Sequence, residues 1–136
     1  MKRKTLTPRF RAAIGALALA VPFALGAAQP PQRVPARTLP KDEPFPLPIR
    51  LRTADEGGRS TPIFNNYRPQ LRVSGWAGEA TCTVKLGENR DLLRPGESST
   101  VVLTCIDAVV LPEHDADKPL GLTLHEGGRT VAVGSI

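Results

Sequence analysis

The sequence predicts an all-β fold, a small antiparallel barrel or sandwich, and three observations predict it. From about Ile49 onward, short apolar alternations are broken by Gly, Pro, Asn and Asp. That is the pattern of short strands joined by turns. Helical periodicity is hard to find anywhere after residue 30. The tetrapeptide EGGR occurs twice, at 56–59 and 126–129, and paired glycines supply the positive φ that tight hairpin turns require.

The chain opens with MKRKTLTPRFR, continues with AAIGALALAVPFALG and then AAQ. A basic start, an apolar run and small residues read as a secretory signal peptide over 1–28, cleaved after Ala28. The apolar run is roughly 14–15 residues, short of the ~20 that a spanning helix needs. An uncleaved anchor or a misplaced start codon are the other readings. No Cys stands at the cleavage point for a lipid anchor, and nothing later in the chain is long or apolar enough to span a bilayer. Of the 18 Lys and Arg, five lie in this leader, which has no acid; the other 13 are balanced by 13 Asp and Glu. The high isoelectric point therefore belongs to the leader, and global charge gives no nucleic-acid footprint.

Residues 29–44, QPPQRVPARTLPKDEP, hold five prolines and little that could form a core; they read as a mobile Pro-rich linker. The domain follows over 45–136. Pro46 and Pro48 make its first strand a poor or edge strand. At the first EGGR, Glu56 is expected to face Arg59 and Leu51 to face Phe64. Pro62 interrupts that ladder, which leaves a loose hairpin or loop.

Residues 81–86 (TCTVKL) and 100–106 (TVVLTCI) flank a turn at Arg94-Pro95-Gly96-Glu97. Pairing Leu86 with Val101 sets Val84 against Leu103 and Cys82 against Cys105, with all six on one face. A direct cross-strand pair is close enough to bond. Such a bond, closing about two dozen residues, contributes on the order of 3 kcal/mol. Two buried free thiols are the alternative. The segment LPEHDADKP (111–119) reads as a solvated acidic turn rather than a metal site, because it lacks a Gly-centred calcium-loop pattern. No metal or cofactor is expected. In the last hairpin, turned at Gly127-Gly128, Glu126 faces Arg129 and His125 faces Thr130. Leu124 then faces Val131 and Leu122 faces Val133 on one apolar face, with Thr123 and Ala132 on the other.

Three segments, DEGGRSTPIFNNYRPQ (55–70), RPGESSTVVLTCI (94–106) and LTLHEGGRTVAVGSI (122–136), stand in an order that resembles the C-terminal, third domain of elongation factor Tu. The resemblance starts near Phe45 and implies a small antiparallel Greek-key β-barrel. Loops around SGWAGEA and LPEHDADKP are longer than the family's. The sequence has no G-x-x-x-x-G-K-[ST] loop, so GTPase chemistry by that route is not expected. In the family this domain helps hold the T-stem of aminoacyl-tRNA. Carried over by resemblance, Arg59, Gln70, Thr81 and Gly127 match tRNA-contacting positions, with Ser60 beside them. Asp107 and His125 stand where the family has basic residues, and both weaken contact with phosphate. Each has a plainer reading: Arg59 and Arg129 brace their turns, while Gln70 and Thr81 satisfy strands or solvent.

Trp76, the only Trp, reads either as a barrel cap or as an anchor for a partner. No G-x-S-x-G or H-E-x-x-H occurs, and neither His has a recognisable nucleophile beside it, so an enzyme is not expected. The expected function is an exported, periplasmic or secreted, non-catalytic binding or structural module whose partner is a protein or envelope component. The alternative is a translation-related module binding aminoacyl-tRNA or the elongation machinery.

Overall fold

The computed structural model describes residues 15–20, 26, 29–87 and 89–136; most of the 1–28 leader lies outside them. Among the described residues there is no helix, and the strands run β1 (Arg33–Val34), β2 (Arg37–Leu39), β3 (Phe45–Leu51), β4 (Ile63–Phe64), β5 (Gln70–Val73) and β6 (Ala80–Lys85). They continue with β7 (Leu92–Leu93), β8 (Ser98–Cys105), β9 (Val109–Leu111), β10 (His114–Asp115), β11 (Gly121–Glu126) and β12 (Arg129–Ser135). Six strands close an antiparallel barrel in the order β11-β12-β3-β8-β6-β5, and β5 pairs back onto β11. The first barrel strand, β3, lies beside β8 rather than β5, which is the Greek-key connection.

Strict alternation builds the interior. In β3, Phe45, Leu47, Ile49 and Leu51 are buried while Pro46 and Pro48 are exposed. Leu71, Val84, Val101, Leu103, Leu122 and Leu124 complete the same core. Fully burying each such side chain stabilises the fold by about 1.5–3 kcal/mol. The cysteine register is as expected: Cys82 pairs with Cys105 and Val84 with Leu103, and the two cysteines are joined in a disulfide. The turn before β8 is also present, with the Glu97 amide donating to the Arg94 carbonyl at 3.0 Å.

Four expectations are corrected. The first concerns β3, which is no edge strand; it lies between β8 and β12. Its prolines are tolerated because β12 pairs only with Ile49–Leu51. Before Ile49 one side of β3 has no ladder, so a missing N–H costs nothing there.

The second concerns 29–44, which is not simply a loose tether. Arg33 and Val34 pair with Asp115 and His114, and β2 pairs with β9. Leu39 is buried in the core cluster. The acidic 111–119 segment thus supplies short partner strands for the Pro-rich segment rather than a purely solvated turn.

In the terminal hairpin, the pairs Glu126–Arg129 and His125–Thr130 are present, but beyond them a β-bulge shifts the register. Leu124 faces Ala132 and Leu122 faces Gly134, while Val131 is the extra residue. A bulge places two successive side chains against one partner. Val131 and Ala132 are therefore both buried, and Val133 turns outward at 39% exposure. The Val131 carbonyl accepts the Arg52 amide at 2.8 Å, so the bulge is used to tie β12 to the end of β3.

The last correction concerns the flanks of the first EGGR; the segment itself is a compact loop, one of the two readings its sequence allowed. Its ladder to Phe64 does not form: Leu51 pairs with Ala132, and Phe64 pairs with Leu92. Gly57 has φ +84°, and a Cβ on Gly58 would lie 2.4 Å from the Arg52 carbonyl oxygen. Both glycines are therefore required by the backbone.

Candidate functional site

The two EGGR segments meet. Arg59, from the first, forms an ion pair with Glu126, from the second. Its guanidinium also donates to the Thr61 carbonyl at 3.3 Å and to Thr61 Oγ1 at 3.1 Å. It lies over the Tyr67 ring, 5.1 Å from the centroid, within cation–π range. The Tyr67 hydroxyl donates to Glu126 Oε2 at 2.9 Å. Arg129 approaches the same carboxylate at 3.8 Å. Glu126 is thus a hub for three side chains. Glu56 turns away from Arg59 to Arg50, at 2.7 Å, and accepts from the Thr53 amide at 3.1 Å.

The electrostatics follow from this geometry. Burial, helped by the hydrogen bond to Glu126, pushes the Tyr67 hydroxyl up to about 12. Burial also pushes the Glu126 carboxyl up, but the hydrogen bonds from Tyr67 and Arg59 and the nearby arginines outweigh it, so the carboxyl sits below its usual range. The Arg50 guanidinium, with help from Thr53, holds Glu56 down at about 2.

The residues singled out from the sequence converge on this end of the barrel. Gln70 pairs with Thr81 on one side and with His125 on the other. Gly127, at φ +62°, forms the turn next to Glu126. Ser60 is exposed beside Arg59. The Ile106 amide donates to the Thr81 carbonyl at 3.0 Å, which brings exposed Asp107 to the rim of the same surface. His125 is the one buried polar side chain among the described residues. Its Nε2 is 2.8 Å from the Thr123 hydroxyl, and its Nδ1 is 3.4 Å from that of Thr130. Burial, and then the charge of Arg72, push its pKa down.

Trp76 stands apart from this group. It packs, partly buried, against the core, and a Cβ on Gly78 would come within 2.2 Å of its ring. Sequence reasoning missed the roles of Tyr67 and Glu126. The repeated EGGR was the available signal, but a local hairpin reading paired each Glu with its own Arg.

Compared with known protein families, residues 43–136 match the family described as Elongation factor Tu C-terminal domain. The chain belongs to that family. The match begins at Glu43, so β1 and β2 precede the family domain and dock onto it through β10 and β9. The closed six-stranded barrel carries the family's matched segment from β3 to the end of β12.

Proposed function

We propose that this chain is an exported, non-catalytic binding or structural module, an elongation factor Tu C-terminal barrel used for contact with a protein or envelope component. The observation that carries this reading is the Cys82–Cys105 disulfide, since such bonds persist in oxidising compartments. Three further observations support it: the signal-peptide pattern of 1–28, the equal numbers of acids and bases after it, and the internal pairing of Arg59 with Glu126. A guanidinium already paired to a carboxylate gives up less to a phosphate.

Cell fractionation with mass spectrometry of the mature N-terminus, with and without thiol alkylation, tests the reading. The expected product begins at Gln29, lies outside the cytosol and resists alkylation until it is reduced. A full-length cytosolic product alkylated at both cysteines overturns it.

One observation favours the second reading, a module for aminoacyl-tRNA or the elongation machinery. Arg59, Gln70, Thr81 and Gly127 lie together at the hairpin end. Filter binding of aminoacyl-tRNA across a salt series separates the two. The second reading requires affinity that falls steeply with salt and is lost with Arg59→Ala. The first expects no specific retention at about physiological salt.

A further inference from the structure

We propose that a groove outside the family domain's hairpin end binds a medium-chain carboxylic acid. The groove lies where the docked segment before the barrel meets the 111–119 loop and Ile136, just after β12. It holds about 410 Å³, within the range of small-ligand sites. Val34, Leu111, Pro119 and Ile136 form apolar walls, and Arg37 and His114 supply the polar edge. Part of this wall comes from residues that precede the family match, which starts at 43. The site therefore belongs to what this chain adds to the barrel.

Charge selects the occupant. Arg33, nearby in the same segment, is engaged by Glu113 at 2.6 Å and Asp115 at 4.0 Å. Arg37 is exposed and joins no Asp or Glu carboxylate among the described residues. The Ile136 main-chain oxygen accepts the Leu120 amide at 2.8 Å. No lining side chain is acidic. His114 Nδ1 is 3.1 Å from the Pro112 carbonyl. A carbonyl only accepts, so Nδ1 carries the proton and the ring is held in place. A hydrocarbon body fits the walls, and a planar carboxylate matches the fork of Arg37.

The test is titration of the ¹⁵N-labelled protein with sodium octanoate, with 1-octanol as the neutral analogue. An acetylated Leu-Val-Leu peptide with a free carboxylate forms a third arm. Octanoate is expected to give saturable shifts at Val34, Arg37, Ala116 and Ile136, about tenfold tighter than octanol. Arg37→Gln should abolish that preference while leaving octanol binding intact. Ala116→Trp, at an exposed position on the rim, should block both. Both variants alter surface positions, and a dispersed amide spectrum confirms folding. The proposal is overturned if octanoate gives no saturable shift, if octanol binds as tightly, if Arg37→Gln leaves octanoate unchanged, or if the peptide binds more tightly.

Discussion

At the residue scale, Glu126 and His125 are neighbours that lean opposite ways. Glu126 is stabilised as an anion by Tyr67 and Arg59, and burial favours the neutral form of His125. Tyr67 is the only tyrosine, so ultraviolet titration reads it directly. Its midpoint should stand near 12 and fall in Glu126→Gln without reaching the value of a free tyrosine, because burial, the larger cause, remains. Tyr67→Phe should lower stability by about 0.5–1.5 kcal/mol in urea denaturation.

The pH dependence has two windows. The pKa of His125 is depressed in the folded state, so the unfolded chain binds the proton first. The stabilisation is present above the unfolded value of about 6.5 and is lost as pH falls through the folded one. The carboxyls of Glu56, Glu97 and Glu126 are also lowered. Their contribution is present above the usual carboxylate range and disappears only at more acid pH. Denaturation midpoints should therefore decline in two stages below neutrality. His125→Gln should remove the upper stage and leave the lower.

At the scale of elements, the terminal hairpin offers the sharpest test, because the bulge reverses two assignments. Val133→Thr should change stability by no more than about 0.5 kcal/mol, as at ordinary surface sites. Ala132→Lys, which buries an unpaired charge, should cost several kcal/mol or prevent folding. A regular hairpin would give the reverse order in urea melts. The segment before the barrel makes a second test. Leu39→Ala should cost about 2–3 kcal/mol if β2 is packed on β9, and nothing if 29–44 is a loose tether.

These two cases show where sequence patterning reads an element and where it fails. Alternation along 100–106 and 81–86 was legible because both strands are regular, so the cysteine pair follows by counting. The bulge at Val131 was not legible. It depends on the Arg52 amide, which is distant in sequence and supplies the reason for an extra residue. The docking of β1 and β2 was hidden by the prolines that flank them, Pro31, Pro35 and Pro40, which locally favour an extended, unpaired chain.

At the scale of the whole molecule, the disulfide ties β6 to β8 across the barrel wall. Both cysteines are buried, at 0% and 3% exposure, so a reductant should reach them only when the chain opens. Reduction is expected to be slow in native buffer and fast in denaturant, as followed by alkylation. Replacing both cysteines by Ala should cost on the order of 3 kcal/mol while keeping the barrel.

The sequence by itself determined the all-β class, the family, the register that sets Cys82 against Cys105 and the hairpin turn at Gly127-Gly128. Each rests on local chemistry: alternation, turn conformation and ordered motifs. Only the tertiary structure decided that Arg59 belongs to Glu126, that Tyr67 completes their cluster, and that the Pro-rich segment lies against the 111–119 loop. Those pairings join residues from different strands and loops. Barrel closure brings them together, and no local pattern encodes which distant partner a charged or apolar side chain will meet.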